Sequence, residues 1–229
     1  MTPYYTENHK HYIAIDCIIF GFDEGELKIL LHKRKFEPEK GKWSLMGGFL
    51  QPDESIDSAA RRILQGCSGL TNLFMEQLLI FGEIDRDPGE RVVSVAYFAL
   101  IRIEDYNKEL NQGTTAQWWP ISKKPGLIFD HDKMVEKALE RLKVRSKYRP
   151  IGFELLPRKF TVPQLQSLYE AINQLKFDKR NFRKKILSMN LLQKLDEKEK
   201  KTSKKGAFLY RFDKRKYKRL LEKGFHFEL

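Results

Sequence analysis

Apolar and polar residues alternate along the first part of the chain with the two-residue period of β-strands. Ile13, Ile15, Cys17 and Ile19 share one face of residues 11–20, and residues 27–34 follow after a turn, so the two segments are predicted to form a hairpin. Residues 43–45, 76–85, 91–103 and 115–121 are predicted to contain further strands.

Two helical patterns interrupt these strands. Residues 56–67 carry apolar side chains on one helical face after Asp53, a predicted N-cap, and a second apolar stripe runs from Asp130 to about Lys147. The apolar face of the first helix consists of Ile56, Ala60, Ile63, Leu64 and Cys67. Strands with two helices in this length of chain predict an α+β domain.

The charge of the chain changes near residue 149. Residues 1–149 contain 22 basic and 22 acidic side chains, whereas residues 150–229 contain 21 basic and 9 acidic ones. The whole net charge of +12 therefore lies in the C-terminal part, and nucleic acid is the usual partner of such a basic domain. With Pro150 and Gly152 at the change, the sequence predicts two domains, 1–148 and 149–229. A basic surface that serves only solubility is the alternative.

The composition also restricts the compartment. No apolar run approaches the roughly 20 residues of a membrane span, and the polar residues 1–12 contain no apolar signal stretch. We therefore expect a cytoplasmic protein without a membrane partner. Cys17 and Cys67 are not spaced as metal ligands and lie among apolar residues, so both are predicted to be reduced core residues.

The basic domain contains the pattern of a helix-turn-helix. Thr161 and Gln164 form a predicted capping box before one helix, and Asp178 is the predicted N-cap of a second helix at 179–189. A charged loop at 196–205 between two short strands is predicted to form a wing, and a last helix is predicted at 213–223 before Gly224. The predicted DNA contacts are Lys179, Arg180, Asn181, Arg183, Lys184, Lys185, Lys204 and Lys205. A solvated basic face is the alternative.

Residues 48–70 resemble the Nudix box. Gly48 opens the frame, Glu54 follows after five residues, and Arg62 follows after seven more, with Gly69 near the end. Residues 43–48 (WSLMGG) are similar to the segment that precedes this box in the family, except that Met46 replaces a proline. The resemblance covers residues 10–145 and implies a Nudix-type α/β/α sandwich with a mixed sheet.

The box departs from the family where hydrolysis requires acids. The family's metal-binding and catalytic glutamates correspond to Ile63, Gly66 and Cys67, none of which offers the oxygen ligands that Mg²⁺ prefers. We therefore expect no hydrolysis, no metal and no cofactor. Glu54 is predicted to favour the positive end of the helix dipole, and Arg62 is predicted to be a solvated or capping residue.

Polar residues at strand ends of the first domain are the candidates for a ligand site. Asp16 is a lone carboxylate in an apolar strand, and a buried carboxylate needs partners. Polar groups around a mostly apolar cleft suit a small polyol, and an aromatic ring suits stacking on a sugar. The predicted ligand-binding residues are Asp16, His32, Lys42, Trp43, Glu83, Asp85 and Tyr97. A surface or structural role is the alternative for each of them.

Residues 160–185 are similar to the helix-turn-helix segment of the Nudix-related transcription regulators. That resemblance implies a winged helix behind a Nudix-like sensor, a homodimer, and binding to palindromic operator DNA. Within the family the chain resembles most the arabinose-responsive branch, AraR, which implies a repressor of sugar utilisation that L-arabinose releases from DNA. The alternatives are an ADP-ribose-responsive regulator of NAD metabolism, an active Nudix hydrolase, and an RNA-binding adaptor.

Overall fold

The computed structural model describes residues 6–69, 74–109, 116–200 and 206–229. The strands of the N-terminal part are β1 (Tyr12–Asp23), β2 (Glu26–Lys33), β3 (Trp43–Ser44), β4 (Met46–Phe49), β5 (Phe74–Phe81), β6 (Val92–Leu100) and β7 (Gln117–Pro120). Its helices are α1 (Ile56–Ser68), α2 (Ile103–Glu109) and α3 (His131–Tyr148). The C-terminal part contains β8 (Phe160–Thr161), α4 (Val162–Asn173), α5 (Lys179–Ser188), β9 (Leu192–Glu199), β10 (Ala207–Phe212) and α6 (Lys214–Glu222).

Strand β1 is the centre of a mixed sheet. It runs parallel to β6 and antiparallel to β2 and β4, and the order across the sheet is β3-β2-β1-β6-β5, with β7 paired to β2. Since side chains alternate along a strand, β1 divides the core. Ile15, Cys17 and Ile19 pack with α1, whereas Ile18 and Phe20 pack with α3. The predicted hairpin and the buried position of Cys17 are confirmed, and the side chain of Cys67 lies outside the described residues.

Helix α1 has a different N-cap from the one that the sequence predicts. The Ser55 hydroxyl accepts a hydrogen bond from the Ser58 amide at 3.2 Å, so the prediction of Asp53 is wrong. The chain before Ser55 is a turn, because the Glu54 carboxylate accepts a hydrogen bond from the Gln51 amide at 2.9 Å. The helix ends at Gly69, whose φ of 71° lies in the left-handed region that glycine favours.

Two predicted strands are shorter than the sequence indicates. Strand β5 ends at Phe81 because the Arg91 guanidinium donates to the carbonyl oxygens of Gly82 and Glu83, both at 2.9 Å, and closes a loop. Strand β6 ends at Leu100, and α2 follows at once. The buried Ile101 and Ile103 continue the apolar run across this change, so the pattern conceals where the strand ends.

The first two helices of the C-terminal part begin where the sequence predicts. Thr161 and Gln164 make both hydrogen bonds of the capping box, at 3.3 Å and 2.8 Å. The Asp178 carboxylate accepts the Asn181 amide at 2.8 Å and caps α5. Helix α5 ends at Ser188, and Phe182 and Ile186 are its buried residues.

Strands β8, β10 and β9 form a small antiparallel sheet behind these helices. Residues 196–199, which the sequence predicts as loop, belong to β9, where Lys198 pairs with Phe208 and Glu199 with Ala207. A strand at the surface tolerates such charged side chains because one face meets water. The last helix, α6, lies within the predicted range 213–223; Asp213 is its N-cap, and Gly224 after it has a φ of 80°.

The N-terminal and C-terminal parts share one apolar core. Buried side chains from the sheet, from α3 and from α4 belong to a single cluster that extends to Phe227. Polar contacts reinforce it: the Asn173 amide donates to the Ser146 hydroxyl at 3.3 Å, and Lys143 Nζ donates to Gln174 Oε1 at 2.9 Å. The helix that ends the N-terminal part, α3, is therefore packed directly against the C-terminal part.

Removing the cap of α4 should destabilise the protein measurably. Thr161→Ala deletes the hydroxyl that accepts the Gln164 amide, and we expect the free energy of unfolding to fall by about 1 kcal/mol in urea denaturation. Thr161→Ser keeps the hydroxyl and should retain most of the stability. Equal losses in the two variants would show that the hydroxyl is not the cause.

Candidate functional site

A cleft opens on the α3 side of the sheet, where β1, β2 and β4 meet the loops before β6 and α3. Glycines 47 and 48 form part of its wall, and the side chains around it are polar inside and aromatic towards the mouth. The lining includes Ala14, Asp16, His32, Arg34, Phe36, Ser44, Leu45, Gly47, Gly48, Phe49, Arg86, Asp87, Val92, Phe129 and His131. The cleft therefore combines cationic groups with aromatic rings.

Charged side chains form a buried cluster at the inner end of the cleft. The Arg86 guanidinium donates two hydrogen bonds to the Asp130 carboxylate, from Nε at 3.0 Å and from Nη2 at 2.8 Å. Its Nη2 also lies 3.7 Å from Asp16 Oδ2, which accepts the Ser94 hydroxyl at 2.5 Å. Since burying a charge is costly without partners, these contacts make the cluster tolerable inside the protein.

His131 completes this cluster as a neutral imidazole. Burial lowers the pKa of His131 below its ordinary value, and the carboxylate of Asp16 opposes that effect only in part. The Leu45 amide donates to Nδ1 at 3.2 Å, so the ring proton of the neutral form is on Nε2. This Nε2 lies 3.7 Å from Asp16 Oδ1, which places the proton towards the carboxylate.

Arg34 lies close to two aromatic rings at the mouth of the cleft. Its guanidinium carbon is 4.1 Å from the centre of the Phe36 ring and 5.2 Å from that of Phe129. Phe36 is 57% exposed, so its ring is open to solvent at the mouth of the cleft. A planar ring and an anionic group are the chemistry that this arrangement matches.

The structure brings two of the predicted ligand residues into the cleft, Asp16 and His32. The His32 ring nitrogen Nε2 lies 3.0 Å from the Leu45 carbonyl oxygen, and burial lowers the pKa of this histidine. Sequence reasoning missed Arg34, Arg86 and His131. The sequence around Arg86, Asp85-Arg86-Asp87, has the composition of a solvated turn, so it carries no local signal of burial.

The other five predicted ligand residues lie away from the lining of the cleft. Lys42 is exposed and pairs with a neighbouring acid, and Trp43 packs edge-on against Trp119 at 5.3 Å. Glu83 and Asp85 are exposed in the loop after β5. These positions do not support ligand contact, which stays a prediction for them.

Tyr97 is on the opposite face of the sheet from the cleft. It belongs to the apolar cluster beneath α1, and its hydroxyl donates to the Asp57 carboxylate. Strand β6 is buried on both faces, so its apolar run does not reveal which way an aromatic side chain points.

Hydrogen bonds within the Nudix-like box connect α1 to the segment before it. Arg62 donates to both oxygens of Glu54, at 2.9 Å and 2.5 Å, and to the Phe49 carbonyl oxygen at 3.1 Å. The hydrogen bonds from Arg62 hold the pKa of Glu54 below its ordinary range. Ile63 is buried in the core, and within 6–69, 74–109, 116–200 and 206–229 no group of three acidic, His or Cys side chains is arranged to hold a metal. Arg62 is thus paired with Glu54 rather than only solvated.

Helix α5 exposes a basic face. All of the predicted DNA contacts on this helix point to solvent, and no ion pair involves them within the part of the chain that the structure describes. They are Lys179, Arg180, Asn181, Arg183, Lys184 and Lys185. The two predicted contacts of the wing tip, Lys204 and Lys205, lie outside the described residues.

Residues 10–138 match the NUDIX domain family, and residues 152–212 match the NrtR DNA-binding winged helix domain. The chain is 33% identical over 224 residues to the ADPR responsive transcriptional repressor NtrR of Acinetobacter baylyi, a match that covers 94% of this chain and 89% of that protein. This chain belongs to the NrtR family of Nudix-related regulators. The predicted fold, a Nudix-type domain followed by a winged helix, is confirmed.

Solved structures agree with the NrtR assignment. Shewanella oneidensis NrtR complexed with a 27mer DNA has a TM-score of 0.80 at 28% identity, over 88% of this chain and 93% of that chain. The Nudix domain of the same protein complexed with ADP ribose has a TM-score of 0.51 at 30% identity, over 61% of this chain and 94% of that chain. The ADP-ribose pyrophosphatase of Methanocaldococcus jannaschii is 34% identical over 124 residues, 54% of this chain and 70% of that protein.

These relatives correct the predicted ligand. The prediction of an arabinose-responsive regulator of carbohydrate metabolism is wrong. One of the NrtR-type relatives is named as responsive to ADPR and another was crystallised with ADP ribose, and neither is of the AraR type.

Among the helices in the described ranges, none is long and apolar enough to cross a membrane.

The wall of the cleft should not accept a side chain at Gly47. A Cβ at this position would collide with Asp16 Oδ1 and lie 3.1 Å from the Ile15 carbonyl oxygen. We expect Gly47→Ala to lower the free energy of unfolding by about 1–3 kcal/mol in urea denaturation. Gly126→Ala is the matched control, since its Cβ would meet no atom within 4 Å. Similar losses in both variants would argue against the close approach to Asp16.

Proposed function

We propose that this NrtR-family protein is a transcriptional repressor that binds operator DNA and responds to ADP-ribose. In this proposal residues 1–148 sense the effector and residues 149–229 bind DNA, and the regulated genes serve NAD metabolism, as the resemblance implies. The observation that carries the effector assignment is a cleft that combines Arg34 and Arg86 with exposed aromatic rings.

The two arginines of the cleft favour a phosphorylated effector. Arg34 is at the mouth, Arg86 is at the inner end, and both line the cleft. Guanidinium groups bind phosphate through paired charge-assisted hydrogen bonds, and a neutral pentose has no charge to match them. The pyrophosphate of ADP-ribose supplies such a charge.

The aromatic rings favour a nucleotide over a simple phosphate. Phe36 and Phe129 both lie close to Arg34, and Phe49, 43% exposed, lines the same cleft. A flat base gains by stacking on such rings and on a guanidinium plane. Adenine at the mouth and the phosphates further in is the arrangement that agrees with this distribution.

Binding without hydrolysis is the activity that the box residues support. Ile63 and Gly66 stand where the family has metal-binding acids, and Glu54 is engaged by Arg62. Hydrolysis of the pyrophosphate would require carboxylates that hold Mg²⁺ at the scissile bond. We therefore propose a receptor rather than an enzyme, with hydrolysis as the outcome to be tested.

The exposed face of α5 supports DNA binding. As the second helix of a helix-turn-helix, it presents arginine, lysine and asparagine side chains, which suit base edges and phosphates. A homodimer would place two such helices in successive major grooves of a palindromic operator. Binding of the effector would then shift the population towards a form that fits the operator poorly.

Calorimetric titration of the full chain tests the effector. We expect ADP-ribose to bind with a dissociation constant in the micromolar range, about 8 kcal/mol of binding free energy, and L-arabinose to give no heat. Arg34→Gln should weaken ADP-ribose binding at least about tenfold because it removes a cation at the mouth. Arg61→Gln, an exposed arginine on α1, is the matched control and should bind as the wild type does.

Three outcomes count against this assignment. If ADP-ribose gives no heat of binding in the titration, it is not the effector. If Arg34→Gln and Arg61→Gln weaken ADP-ribose binding equally, Arg34 has no specific role at the mouth of the cleft. Release of AMP from ADP-ribose with Mg²⁺ would show that the box residues still support hydrolysis.

The DNA interface is tested with duplexes that the wild-type protein selects from a random pool. Arg180→Ala should weaken binding to the selected duplex by about 1–3 kcal/mol if the side chain contacts a base. Lys137→Ala, which removes an exposed charge on α3, should leave affinity nearly unchanged. Fluorescence anisotropy measures both, and structured RNA serves as competitor. Preference for that RNA, or identical affinities of the two variants, would refute the proposed interface.

A further inference from the structure

Helix α3 touches both the cleft and the C-terminal part. Its first residue, His131, lines the cleft, and its N-cap, Asp130, is bound to Arg86 there. Near its other end Lys143 and Ser146 contact α4, and the Lys147 carbonyl oxygen accepts the Leu229 amide at 3.1 Å. The 18 residues of this helix span about 27 Å. A displacement at its start is therefore carried directly to the DNA-binding part.

The ion pair between Arg86 and Asp130 fixes that start. The side chains of these residues are only 2% and 11% exposed, so water screens the pair little. Asp130 stands at the N-cap of α3, and within the described residues its carboxylate makes no cap hydrogen bond, while both of its oxygens accept from Arg86. The carboxylate of Asp130 therefore binds the arginine and does not cap the helix.

We propose that this ion pair transmits effector binding to the winged helix: a phosphate group of the effector takes Arg86 from Asp130, and the released helix α3 moves with the C-terminal part. The inference rests on the proposed function, since it assigns Arg86 to the phosphate. Carboxylate and phosphate bind the same edges of a guanidinium, so the two ligands compete for it.

The competing arrangement leaves neither charge without compensation. Once Asp130 is released, its carboxylate remains at the positive end of the α3 dipole, which favours an anion. Arg86 keeps a second carboxylate, Asp16, at 3.7 Å, so it is never buried without an anion. The two states satisfy similar numbers of charges. An effector of moderate affinity can therefore shift the equilibrium between them.

Asp130→Asn tests the inference because asparagine has nearly the same shape as aspartate and no charge. The variant loses the charge that holds Arg86. In the absence of any effector, we expect its affinity for the selected duplex to fall at least about tenfold, and the additional effect of ADP-ribose to shrink. Arg86→Lys, which keeps the charge and loses the paired geometry, should change duplex affinity in the same direction.

Glu76→Gln is the matched control. Glu76 forms ion pairs with Arg141 and Arg145 on the same helix, but it does not line the cleft. The Glu76→Gln variant also removes one carboxylate charge, and we expect it to have wild-type duplex affinity and a wild-type response to ADP-ribose. Hydrogen exchange provides a second measurement that needs neither ligand: the first turn of α3 should exchange faster in Asp130→Asn and not in Glu76→Gln.

The outcomes separate this inference from the proposed function. If Asp130→Asn matches the wild type in duplex affinity and in amide exchange, the transmission through this pair is refuted, whatever ADP-ribose does. The same conclusion follows if Glu76→Gln and Asp130→Asn lose affinity equally. If instead the wild type binds no ADP-ribose or selects no duplex, the proposed function fails, while the exchange measurement still decides whether Asp130 holds α3.

Discussion

One carboxylate inside the sheet, Asp16 on β1, governs the arrangement around it. A charge at that depth is tolerated only with partners, and the protein supplies the Ser94 hydroxyl and the Arg86 guanidinium. Gly47 leaves the room that the carboxylate occupies. Arg86 in turn binds Asp130 and so positions the start of α3. The shape of the cleft and the position of the helix behind it therefore depend on the same buried charge.

The sequence predicts those features whose signals are local. The capping box at Thr161, the cap at Asp178 and the alternation along β1 each involve residues within a few positions of one another, and each is confirmed. Asp16 was detectable as a lone carboxylate in an apolar strand. Arg86 was not, because its partner Asp130 is 44 positions away and the residues beside it are those of a solvated turn.

The ligand depends on residues that are far apart in the sequence. The box and the helix-turn-helix identify the family, since both are patterns of fixed spacing, but a ligand is selected by side chains that converge from separate loops. Without Arg34 and Arg86 in view, the polar residues of the first domain suggested a polyol. With them the cleft has a guanidinium group at each end, and the relatives associated with ADP-ribose agree with that chemistry.

The apolar core that runs from the sheet through α3 into α4 limits how this protein can be divided. Leu165 and Leu168 on α4 belong to this cluster and are fully buried in the intact molecule. An exchange of the N-terminal sensor for a foreign one would therefore have to reproduce the apolar surface that α3 presents to α4.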